Sequence, residues 1–187
     1  LIRKSASLFG GDRVEKTVGE VYEFLKSRMV NLLSEEGYPK DVIQAVLEVS
    51  VDHVPDVWNR VKALEALKED AGFEPLAVAF KRVVNIIRKA GHEGKADVDE
   101  GLFEQDSEKT LLAACRRIQQ KTSQDMARGE FEQALRDIAG IRPQVDAFFD
   151  DVMVMVEDAK IRDNRLALLS QVAALFEDFA DFSKIST

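Results

Sequence analysis

Apolar residues in the run from Ile141 to Phe182 recur at steps of three and four, the longest nearly continuous patterning in the chain. Val145, Phe148, Phe149, Val152 and Val156 fall on one stripe of an α-helix, which places both phenylalanines in a core. Pro143 suits the first helical turn, where a missing N–H costs nothing. Over Val152-Met153-Val154-Met155-Val156 the pattern becomes apolar on every side, as in a helix buried within a bundle. Met153 and Met155 read as core filler. Glu157-Asp158-Ala159-Lys160 carries three charges and breaks the run. A second helix is predicted from near Ile161, with Leu166, Leu169, Val172, Ala173, Phe176, Phe179 and Ala180 on its apolar side. The short break predicts two antiparallel neighbours.

The same periodicity extends over most of the sequence. Val14, Val18, Val21, Phe24, Leu25 and Leu32 predict a helix that ends at Glu35-Glu36-Gly37-Tyr38-Pro39. Val42, Ile43, Val46 and Leu47 predict a short one. Val54-Pro55-Asp56 is a break, and Val57, Val61, Leu64 and Leu67 predict a third helix. Gly72-Phe73-Glu74-Pro75 stops and restarts the chain. Gly91, Gly94 and Gly101 mark 91–105 as loop. Leu111, Leu112, Cys115, Ile118 and Met126 predict a longer helix, and Phe131, Ala134, Leu135 and Ile138 a short one. No alternating run is long enough for a strand. The predicted fold class is all-α, a bundle of about seven or eight helices. Residues 1–13 read as a connector or frayed terminus, 14–72 as an N-terminal helical segment and 73–187 as a helical bundle. One continuous domain over 14–187 is the alternative.

The single cysteine, Cys115, rules out an internal disulfide and points to a reducing compartment. No apolar stretch is long enough to span a bilayer, and no signal peptide is legible. The chain begins at Leu1, which reads as a fragment of a longer protein or a processed chain. The net charge of −8 argues against broad, non-specific nucleic-acid binding.

Residues 75–90 depart from that acidic balance. Leu76, Phe80, Val83, Val84 and Ile87 fall on one arc of a helix. Lys81, Arg82, Asn85, Arg88 and Lys89 fall on the opposite arc, and the segment holds no acidic residue. Such a face is either ordinary solvated surface or a phosphate-tracking surface, with Asn85 able to bond a base edge. Other constellations carry less. His53 and His92 stand beside predicted turns with no ligand-spaced partner, and read as surface or capping residues. Asp146, Asp150 and Glu157 share a helical face but lack the Glu-x-x-His pairs of a bundle metal site. Gly91-His92-Glu93-Gly94-Lys95 lacks the spacing and hydroxyl of a phosphate loop. Cys115 sits on an apolar helix side and reads as a buried thiol. No self-contained active site and no metal site is predicted.

Four strings add a resemblance. EEGYPKDVIQAVL (35–47), AFKRVVNI (79–86), VDAFFDDVMVMVED (145–158) and IRDNRLALL (161–169) resemble the C-terminal region of the bacterial glycyl-tRNA synthetase beta subunit, in matching order and spacing. Phe179-Ala180-Asp181-Phe182-Ser183 resembles that subunit's ending. The region includes a helical anticodon-binding domain of the DALR type, whose segment is matched by Asp158-Ala159-Lys160-Ile161-Arg162-Asp163-Asn164-Arg165-Leu166, with Ile161 where leucine is usual. The resemblance implies a module that binds the anticodon region of glycine tRNA and supports its aminoacylation. It implies the remainder of the beta subunit and the alpha subunit as partners, with no membrane or DNA partner, and a cytoplasmic location. ATP and Mg would be used by the whole enzyme at a site elsewhere, so this chain is expected to be non-catalytic and without a cofactor. Lys81, Arg82, Arg88 and Lys89 are the expected phosphate contacts. Asn85, Arg162, Asn164 and Arg165 are expected to contact bases or backbone, with Arg28 as an outlying candidate. The alternative is a helical docking module within the synthetase that touches no RNA.

Overall fold

The structure is a computed structural model that describes residues 13–51, 53–92 and 97–186. The predicted connector lies outside the described residues over 1–12, as does 93–96 of the glycine-rich string. Among the described residues the chain is all-α, with eight α-helices. They are α1 (Arg13–Glu35), α2 (Lys40–Leu47), α3 (Val54–Lys68), α4 (Phe73–Lys89), α5 (Asp106–Ala127), α6 (Phe131–Ala139), α7 (Arg142–Asp151) and α8 (Ala159–Glu177). Two 3-10 turns, Glu100–Leu102 and Phe182–Lys184, complete it. No helix among these is long and apolar enough to cross a membrane.

Sequence punctuation sets most boundaries. Gly37 takes φ of +96° past the end of α1, where a side chain would be strained, and the Tyr38 N–H returns to the Leu33 carbonyl. The predicted break at Val54-Pro55-Asp56 is where α3 begins, with Pro55 in its first turn.

The centre of the bundle is α5. Helices α6, α7 and α8 pack on it, α4 lies against α8 and α7, and α3 packs on α2 and α6. One contiguous apolar cluster runs from Met29 to Ile185 and includes side chains on both sides of residue 72. Phe80, Phe176 and Phe182 form its aromatic centre, with centroids 4.7, 5.1 and 5.6 Å apart. Arg60 of α3 caps the far end of α8. Its Nη1 donates to the carbonyls of Asp178 (2.9 Å) and Phe179 (2.7 Å), and its guanidinium lies over the Phe131 and Phe179 rings. Cys115 is buried, and burial pushes its thiol up to about 12, so it stays protonated at neutral pH.

The run from Ile141 to Phe182 departs from expectation in four connected ways. First, α7 ends at Asp151, and Val152 takes an extended backbone (φ −117°, ψ 119°). Glu157 therefore does not share a helical face with Asp146 and Asp150. Second, Val152 and Val154 are buried while Met153 and Met155 are 73% and 55% exposed, so the methionines are not core filler. The period in this stretch is two, which a five-residue apolar run leaves open and which β-branched valine favours. Third, α7 and α8 are not packed as neighbours; each packs instead on α4 and α5. Seven residues separate the two helices, more than the two to five that join a tight helical hairpin, and the Val156 N–H turns back to the Val154 carbonyl at 3.1 Å within them. Fourth, Phe148 is fully buried, but Phe149 is only half-buried and meets its neighbour's ring edge-on at 5.5 Å.

A lone extended segment has backbone groups with no ladder to satisfy them. Two arginines of α8 meet that need. Arg165 donates from Nη1 to the Met153 carbonyl at 3.0 Å, and Arg162 from Nη1 to the Val156 carbonyl at 3.2 Å. Arg165 also donates from Nε to Glu108 (3.1 Å) and from Nη2 to Glu104 (2.7 Å). Glu108 is fully buried and in turn accepts the N–H groups of Glu104 and Gln105, capping α5. Beside it, Asn164 accepts the Asp99 N–H at 2.7 Å and donates to the Asp99 carbonyl at 2.9 Å. Asn164 and Arg165 are thus held inside the protein by local partners.

Two outcomes are expected in urea denaturation. Phe148→Ala should cost about 3–5 kcal/mol, whereas Met153→Ala should stay within about 0.5 kcal/mol. A large loss for Met153 would restore the buried-helix reading. Arg165→Ala should cost about 3–5 kcal/mol because it strands the Glu108 carboxylate. Arg165→Lys, which keeps the charge without the fork, should recover only part of that. A loss under about 1 kcal/mol for Arg165→Ala would show that the buried fork holds nothing together.

Candidate nucleic-acid interface

The core fixes which face of α4 meets solvent. Phe73, Leu76, Phe80 and Val83 are buried, and Phe80 stacks on Phe176 of α8. With about 3.6 residues per turn, the polar positions must then point outward. Arg82, Asn85, Arg88 and Lys89 are exposed, and Lys81 is half-buried on the flank. Glu74, in the first turn, is the helix's one acidic residue. An anion therefore meets a one-signed surface on α4 although the chain as a whole is acidic.

Three of these side chains are pre-set. The Arg88 Nη2 donates to Asn85 Oδ1 at 2.8 Å, which leaves the Asn85 amide N–H groups as its outward donors. The Arg82 guanidinium carbon lies 3.9 Å from the centroid of the Phe149 ring, at stacking distance. Arg82 and Phe149 form the floor shared by two open grooves along α7, of about 390 and 520 Å³. The larger groove runs on to the exposed Met153 and Met155. Asp146, Asp150 and Asp151 line the α7 side, and Asp146 pairs with Arg142 at 3.3 Å.

The structure brings together five of the eight expected site residues, Lys81, Arg82, Asn85, Arg88 and Lys89. The other three lie at the start of α8. Arg162 is half-buried on the Val156 carbonyl, and Asn164 and Arg165 are turned inward. Charge and amide character drew attention to them, but those same groups are consumed by internal backbone and carboxylates. Arg28 is exposed on α1, a different element. Sequence reading passed over Phe149, Met153 and Met155 as surface groups; the Val-Met-Val-Met-Val alternation was the available signal. His53 is the N-cap residue of α3, its Nδ1 2.9 Å from Asp56. His92 is half-buried. No cluster of three or more metal-ligating side chains occurs among the described residues.

Comparison with known proteins gives this geometry a context. The chain is 44% identical to the glycine–tRNA ligase beta subunit of Desulforapulum autotrophicum over 187 residues, covering 99% of this chain and 27% of that protein. It is 49% identical to the corresponding subunit of Desulfatibacillum aliphaticivorans, covering 91% and 25%. For that of Syntrophotalea carbinolica the figures are 44%, 91% and 24%. The chain thus spans about a quarter of the length of these curated relatives. Residues 76–187, from the basic helix through the buried arginine fork to the C-terminal turn, match the DALR anticodon binding domain, and the chain belongs to that family.

Proposed function

We propose that the chain is the tRNA-binding module of a glycine–tRNA ligase beta subunit and that it grips the anticodon region of glycine tRNA. The observation that carries this reading is the one-signed outer face of α4, which lies within the span matched by the anticodon-binding family. Lys81, Arg82, Arg88 and Lys89 contact phosphates. Asn85 donates to a base edge or to the backbone. Arg162, Asn164 and Arg165 act from behind, by holding the neighbouring segments in place. The module supports aminoacylation by positioning tRNA for a cytoplasmic enzyme. The remainder of the beta subunit and an alpha subunit supply the chemistry, with ATP and Mg bound elsewhere.

A second reading, a docking module without RNA contact, is favoured by a different surface. Val21, Phe24, Leu25 and Leu32 form an exposed apolar stripe on α1. That stripe suits packing on protein, but it leaves the α4 face unexplained.

Salt dependence separates the two readings. Each lysine or arginine that neutralises a phosphate in a single-stranded loop steepens log K against log salt by about 0.7. Changing Lys81, Arg82, Arg88 and Lys89 together to glutamine should weaken binding of a glycine tRNA transcript and flatten that slope by about two to three units. Asn85→Ala should keep the slope and lose discrimination among loop variants. A quadruple variant that folds normally and keeps the original slope would move the balance to the docking module.

A further inference from the structure

The groove beside the basic face has features that phosphate binding does not use. Its lining includes Arg82, Ile86, Phe149, Asp150, Met153 and Met155. Three properties stand out. The Arg82 guanidinium lies over the Phe149 ring, which steadies the cation at the groove that both residues line. Met153 and Met155 stand out from the extended segment although their valine neighbours are buried. That segment is anchored at the Met153 carbonyl, which accepts from the Arg165 fork. The α7 side carries carboxylates, which accept hydrogen bonds and repel phosphate.

We infer that this groove is a base-binding subsite that takes one unpaired nucleotide of the bound RNA, stacked on Arg82 and flanked by Met153 and Met155. The inference rests on the RNA-binding reading of α4 and adds to it. A base in a duplex has both faces covered, so only an unstacked base can enter. Its phosphate stays on the α4 side, where Lys89 lies two turns along the same stripe as Arg82. Its edge meets carboxylates, so a base bearing an amino group is preferred over uracil, whose one donor, N3–H, is flanked by two carbonyls that Asp150 would repel. Stacking on thioethers and a fixed guanidinium releases no extra counterions, so this subsite contributes affinity and selectivity without steepening the salt dependence.

The chain contains four methionines, which makes the methyl groups direct reporters. Met29 is buried and Met126 is half-buried, so both serve as controls. The chain labelled with methyl-13C methionine is titrated with a glycine tRNA transcript. Met153→Leu and Met155→Leu variants assign the signals. The Met153 and Met155 signals should move upfield through the ring current of the base, while Met29 stays in place. Met153→Ala/Met155→Ala, which alters only exposed side chains, should weaken binding about tenfold at an unchanged salt slope. It should also abolish the penalty for uracil at one loop position. Salt-dependent binding in which neither methionine signal moves overturns the subsite and leaves the RNA reading standing. So does a double variant with unchanged affinity and base preference. A chain that does not bind the transcript at all overturns both.

Discussion

A single buried guanidinium ties the segment that carries Met153 and Met155 to the start of α5. Arg165 reaches Glu108 at the start of α5, Glu104 in the loop before it and the backbone of Met153. Two separate stretches of chain, 104–108 and the segment after α7, are therefore tied to α8 by one side chain. The desolvation cost of burying such a charge is large, and only a near-complete set of partners offsets it. Glu108 supplies one carboxylate and simultaneously caps α5. Remove the arginine, and the buried Glu108 carboxylate loses its cation while the segment after α7 keeps only the Arg162 bond to Val156.

The extended edge is a consequence of that anchor. Between α7 and α8 the chain travels instead of turning back, and arginines from α8 satisfy its carbonyls where a partner strand otherwise would. The travel separates α7 from α8 and lets both pack on α4 and α5. It also sets Met153 and Met155 outward along the same groove as Arg82 and Phe149. The candidate interface is therefore composite: charge from one helix, an aromatic ring from a second, and thioethers from a segment that is not helical.

Charge distribution explains how an acidic chain can offer an anion-binding face. The net charge of −8 acts on the far field, which salt screens within about a nanometre. Close contacts respond to local charge. Along α4 that charge is positive from Lys81 to Lys89, while Asp150 and Asp151 stand across the groove beside Arg82. Asp150 and Asp151 thus set an acidic wall opposite the basic one.

Most of the helices were legible in the sequence because apolar steps of three and four, together with Gly37, Pro39 and Pro55, are local signals. The basic arc of α4 was legible for the same reason: a helix wheel turns spacing into a face. Two things were decided only in three dimensions. The stretch from Val152 to Val156 suits a buried helix or an alternating extended segment equally well. Burial of Val152 and Val154 beneath an arginine-held backbone chose the second. Likewise, the sequence announces that Asn164 and Arg165 are polar, but not whether they meet solvent or protein. Their partners Asp99, Glu104 and Glu108 lie about sixty positions away in the chain, and no local pattern encodes which distant carboxylate or backbone group a guanidinium will find.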